Sequence, residues 1–107
     1  MSVFASWCPP CVKEAPVFVD FYTQYPPESG VQLVGISLDE DPKALTKFIR
    51  DKGIKYPVYL AGQDFIGYFD IQTIPTLIVV DRSGEVVEYL AGMATMKEIV
   101  KLIKKYQ

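Results

Sequence analysis

Histidine is absent from this chain, and cysteine occurs only twice, at Cys8 and Cys11. A structural zinc site closes four Cys or His ligands around the ion, so one chain does not supply it. Copper sites built on histidine are excluded as well, and so are Cys–His and Ser–His–Asp nucleophile systems. Neither a metal nor a cofactor is expected. No apolar run approaches the roughly 20 residues that span a bilayer as a helix, and no signal peptide is visible. Charge of one sign is not in excess either: the formal net charge is −2, which gives no reason to expect nucleic acid or an anionic membrane as partner. Lys97, Lys101, Lys104 and Lys105 gather near the end, but at helical spacing, and read as the solvated face of an amphipathic helix. Repeats, low-complexity tracts and linkers are missing too.

What remains is ordinary globular material. Half of the 107 residues are apolar and 22% are charged, enough for one core and one domain, 1–107, expected as a monomer. Met1-Ser2-Val3-Phe4-Ala5 reads as the end of a buried strand with nothing before it. From Pro9 to about Tyr25 a helical pattern follows, with Val12, Ala15, Pro16, Val19 and Tyr22 or Phe18 at three- and four-residue spacing. Pro9 suits the first helical position, whereas Pro16 removes an internal hydrogen bond. Val31–Leu38 is a nearly continuous apolar run, the pattern of a strand buried on both faces. Asp41-Pro42 opens a second helix that Gly53 ends, with Leu45, Phe48 and Ile49 as its apolar stripe. Tyr56–Leu60 is extended, and Phe65–Phe69 a short helix. Thr76–Asp81 and Glu85–Leu90 form a hairpin around Asp81-Arg82-Ser83-Gly84. Thr95-Met96-Lys97-Glu98 is a capping box opening the last helix. The order predicts parallel strands joined by helices and closed by an antiparallel hairpin.

Two cysteines at i and i+3 can cycle between dithiol and disulfide without help. Exchange needs a thiolate that a substrate can reach and a second thiol close enough to displace it. Cys8 falls at the N-terminus of the first helix, where unpaired N–H groups and the helix dipole favour negative charge. Cys11 lies one turn on, shielded by its own helix. The spacing makes Cys8 the attacking thiol and Cys11 the resolving one. Trp7 walls the site, and Pro9 and Pro10 stiffen the loop and remove two donors near Cys8. The competing reading is a pair of buried structural cysteines. A strand meeting a helix in an α/β pattern is the context that favours redox chemistry.

Glu14 shares the face of Cys11 and has two readings: a proton carrier during exchange, or a solvated acid supporting the helix. Ile74-Pro75-Thr76 also has two readings: a proline tolerated at the first residue of a strand, or a cis peptide that turns the backbone toward the cysteines. In the second, the main chain of Ile74 pairs with a substrate strand.

Val3-Phe4-Ala5-Ser6-Trp7-Cys8-Pro9-Pro10-Cys11-Val12-Lys13-Glu14-Ala15-Pro16 resembles the active-site segment of the TlpA/ResA-like thioredoxins. Val34–Asp39 is similar to their next strand, and Ile71–Asp81 to their cis-proline segment, with Gly84 and Gly92 also in place. The resemblance implies an α/β thioredoxin-like fold: a central mixed sheet flanked by helices, with a helix–strand insertion over Asp41–Phe69. It implies that Pro75 is cis and faces the cysteines, and that Glu14 belongs to the active site. Trp7, Pro9, Pro10, Ile74, Pro75, Gly92 and Met93 then form the surface that substrates meet. Members are typically extracytoplasmic, often membrane-tethered thiol reductases of protein disulfides, including apocytochrome c cysteines. The implied partners are therefore protein disulfides or dithiols and an upstream thiol donor, on the periplasmic or other outer side of a bacterial membrane.

Two departures stand out. Ser2 occupies the place of thioredoxin's buried acid, which leaves Glu14 as the remaining candidate for the proton carrier. The family's N-terminal segment and most of the first central strand are missing, a loss expected to cost several kcal/mol. Two rival functions are a peroxidase, which needs a hydroxyl residue where Ala5 stands, and a non-catalytic module holding peptides around Trp7, Ile74, Pro75 and Met93.

Overall fold

The computed structural model describes residues 1–107. Five strands and four α-helices follow in the order β1 (Ser2–Phe4), α1 (Pro9–Gln24), β2 (Gly35–Ser37), α2 (Pro42–Lys52), β3 (Val58–Leu60), α3 (Gln63–Tyr68), β4 (Thr76–Val80), β5 (Val86–Ala91) and α4 (Met96–Tyr106). The sheet order is β3-β2-β1-β4-β5. β1, β2 and β3 run parallel, while β4 is antiparallel to both β1 and β5. This is the mixed thioredoxin-like sheet, with α2, β3 and α3 inserted between β2 and the proline-led β4.

β1 is central, and both of its faces are covered. Phe4, Leu77 and Val79 pack beneath α1, α2 and α4 through Phe18, Phe21, Phe48 and Ile99. On the opposite face Val3, Ile36 and Ile78 meet Phe65 and Phe69 around α3. Strand alternation divides the residues between these two clusters. Local signals start and end the helices where the sequence places them. The Asp41 carboxylate accepts from the Lys43 N–H, and Gly53 closes α2 in the left-handed region at φ 67°. The Thr95–Glu98 capping box is present in full.

Two expectations need correction. The apolar run Val31–Leu38 does not form one long strand, since only Gly35–Ser37 enter the ladder. Beyond the Ser2 N–H, which donates to the Val34 carbonyl at 2.8 Å, no strand lies beside Val31–Leu33. An apolar trough of about 370 Å³ separates them instead from Ile78–Asp81, floored by Phe18, Phe21 and Ile99. Val31 and Leu33 are buried within the main apolar cluster without sheet pairing. The inner face of α1 is also rotated from the predicted one. Its buried residues are Cys11, Glu14, Ala15, Phe18 and Phe21, whereas Pro16 is exposed and Val12, Val19 and Tyr22 are half-buried. The stripe was obscured by the carboxylate within it, because Glu14 reads as a surface residue.

Candidate active site

The site forms where three chain segments converge at one end of the sheet. β1 delivers Ala5-Ser6-Trp7 to the head of α1. Cys8 caps that helix in extended backbone, and its carbonyl accepts the first helical bond from Val12 N–H at 3.0 Å. Pro9 and Pro10 fill the first two helical positions, where an amide N–H has no partner within the helix. Opposite them the Ile74–Pro75 peptide is cis, and the Ile74 carbonyl accepts a long hydrogen bond from the Cys8 thiol at 3.8 Å. The third segment is the turn after β5. Gly92, at φ 86°, donates its N–H to the Pro75 carbonyl at 2.8 Å.

Both thiols are buried, with Cys8 5% and Cys11 3% exposed. The expectation that only the resolving thiol is shielded is thus corrected: the Ile74 segment covers Cys8 as well. Burial, followed by the hydrogen bond with Cys8, pushes the Cys11 thiol up to about 12. Cys11 therefore stays protonated near neutrality until a base removes its proton.

Glu14 is 4% exposed, although it is a carboxylate on a helix. One of its oxygens accepts from the Ala94 N–H at 2.7 Å. Burial raises its pKa above the ordinary carboxylate value, and the Ala94 bond partly offsets that. Its charge is felt by Cys11 and by the buried Tyr56 phenol, which burial and then Glu14 push upward. Of the two readings left open for Glu14, the solvated acid is excluded by this burial.

The structure brings Cys8, Cys11, Glu14, Ile74, Pro75 and Gly92 together. Trp7, 67% exposed, and the exposed Met93, Pro9 and Pro10 form the outer rim. Sequence reasoning missed Tyr56 and the Ala94 N–H. It also missed a polar cluster behind Cys8, in which the Ser6 and Ser37 hydroxyls donate to the Asp39 carboxylate at 2.6 Å each. Ser37-Leu38-Asp39 at the end of an apolar run was the available signal, since polar residues closing a buried strand require partners.

A dithiol at a helix head, facing a cis-proline loop at the edge of a mixed sheet, defines a thioredoxin-fold dithiol protein. The model of a family described as thioredoxin-like matches residues 1–86. Thiol-disulfide oxidoreductase ResA of Bacillus thuringiensis (strain Al Hakam) is 33% identical over 106 residues, which cover 98% of this chain and 61% of that protein. Among solved structures, a thiol:disulfide interchange protein of the thioredoxin family from Chlorobium tepidum TLS superposes with a TM-score of 0.86 at 32% identity, covering 98% of this chain and 76% of that one. StoA from Bacillus subtilis gives 0.84 at 29% identity, covering 95% and 78%. The chain belongs to the thioredoxin-like family, and it is similar to thiol-disulfide oxidoreductases of the ResA kind. It spans 61% of the length of the first curated relatives it matches.

Proposed function

We propose that this chain reduces protein disulfides through a mixed disulfide at Cys8 that Cys11 resolves. The observation that carries this reading is the Cys8–Cys11 pair at the head of α1, facing the Ile74 carbonyl, with Cys11 held as a thiol at about 12.

The Cys8 thiolate attacks one sulfur of a substrate disulfide, forming the mixed disulfide and releasing the other sulfur as a thiolate that takes up a proton. Cys11 then loses its proton and attacks Cys8 sulfur. The Cys8–Cys11 disulfide forms, and the second substrate sulfur leaves and is protonated. Two electrons have passed to the substrate, and an external dithiol returns them. Glu14 is our candidate acceptor for the Cys11 proton. Its pKa is raised by burial, and its charge bears directly on Cys11. Trp7, Pro9, Pro10, Ile74, Pro75, Gly92 and Met93 are the residues we assign to substrate contact, the Ile74 main chain by pairing with an extended substrate segment.

The resemblance to ResA/TlpA-like proteins supports an extracytoplasmic setting, with protein dithiols and an upstream thiol donor as partners. Apocytochrome c cysteines are the first substrate class to try. No helix is long and apolar enough to cross a membrane.

The decisive measurement compares insulin or glutathione-disulfide reduction by the wild type and Cys8→Ser. We expect the variant's activity to fall to background, and equal activity would overturn the proposal. Cys11→Ser is expected to accumulate a mixed disulfide through Cys8, visible by mass spectrometry and released by reductant.

A further inference from the structure

Asp39 follows β2 and is 6% exposed, a buried carboxylate that the exchange chemistry does not use. Such a group persists only where hydrogen bonds replace its lost water. The Ser6 N–H approaches both carboxylate oxygens at 3.1 Å. The Ser6 hydroxyl donates to Oδ1 at 2.6 Å, and the Ser37 hydroxyl donates to Oδ2 at 2.6 Å. Ser37, fully buried, also accepts from the Asp39 N–H at 3.0 Å.

One end of this cluster is rigid. Leu38 N–H donates to the Phe4 carbonyl at 2.8 Å, which ties the segment carrying Asp39 to the central strand. The other end is the turn Ser6-Trp7, which lies outside the ladder and leads directly into Cys8. A site on a turn is only as well placed as the bonds joining that turn to the scaffold. Hydrogen bonds to a carboxylate are about twice as strong as neutral ones.

We propose that Asp39 is a positioning residue for Cys8: by clamping Ser6 it fixes the turn that sets the Cys8 sulfur against Cys11 and the Ile74 carbonyl. The inference builds on the proposed roles of the two cysteines. It extends the working site to a carboxylate that touches neither thiol in the exchange. Asparagine in its place keeps the size but turns one acceptor oxygen into a donor, which then faces Ser6 N–H or a serine hydroxyl.

The test is the equilibrium of the Cys8–Cys11 pair with reduced and oxidised glutathione. In it the pair's oxidation to a disulfide is balanced by reduction of one glutathione disulfide to two thiols. A loosened turn lowers the effective concentration of one thiol at the other. We expect Asp39→Asn to lower the equilibrium constant for disulfide formation by roughly tenfold. Ser6→Ala, which keeps the N–H arm, should shift it in the same direction by a smaller factor. Trp7, the only tryptophan, reports the turn itself, and its fluorescence anisotropy should fall in both variants. A folded Asp39→Asn protein with wild-type equilibrium and wild-type Trp7 anisotropy would overturn the proposal. A purely structural role lowers stability and leaves both readouts of the folded protein unmoved. If Asp39→Asn does not fold, Ser6→Ala decides by the same two readouts. The equilibrium requires no protein substrate, so it is obtained even from a chain that reduces no protein disulfide.

Discussion

At Glu14 a buried carboxylate proposed for proton transfer also bears on fold stability. Its pKa in the folded chain lies above the ordinary carboxylate value because burial disfavours the charge. The folded state therefore binds the proton more tightly than the unfolded chain does. Its stabilising contribution is full below the unfolded value of 4.5 and is lost as pH rises through the raised folded value. Glu14→Gln keeps an acceptor for the Ala94 N–H and does not titrate. Urea unfolding across about pH 4 to 8 should show the wild type losing stability relative to Glu14→Gln as pH rises. A constant difference across that range would contradict the burial argument. On the proposed role of Glu14 as acceptor of the Cys11 proton, the same variant should also slow resolution of the mixed disulfide.

At the scale of elements, β2 shows what pattern reading can and cannot reach. Its apolar run was plain, and the helix starts at Asp41 and Thr95 and the stop at Gly53 lay where local chemistry put them. Its length was not legible, because ladder length depends on a neighbouring strand, and β1 pairs only over Ser2–Phe4. Gly35 carries a constraint of the same kind. A Cβ there would meet Val58 Cγ2 at 3.1 Å and Phe4 Cε1 at 3.2 Å, so β1, β2 and β3 close up around a missing side chain. Gly35→Ala is expected to destabilise by about 1–3 kcal/mol through overpacking. The urea midpoint should fall while Cys8 chemistry per folded molecule stays intact.

For the whole molecule, the strand–helix order in the sequence was sufficient for the mixed sheet and for the placement of the cysteines at a strand–helix junction. The remainder of the site depends on contacts between distant residues. Ser6 and Asp39 are 33 positions apart, and Glu14 and Ala94 are 80 apart. Neither pair leaves a periodic trace. The cover over Cys8 is likewise tertiary, because it comes from Ile74. The two cores on either side of β1 share one sheet, so damage to the thin side should reach the whole domain. Ile78 is fully buried there with Val3 and Ile36. Ile78→Ala is expected to cost about 2–5 kcal/mol, a large part of the roughly 5–15 kcal/mol that holds a domain together. Calorimetry should show one transition moved to lower temperature.

The turn after β5 has a consequence for recognition. Gly92 is tied to Pro75 and Ala94 to Glu14, so the backbone on both sides of Met93 is anchored before any partner arrives. A protein docking against the exposed Met93 side chain meets a surface whose main-chain entropy has already been lost in folding. Little ordering remains to oppose association at this rim. If Met93 meets substrates as proposed, selection among partners would fall to the flexible thioether, which can adapt to many apolar shapes without moving the chain beneath it.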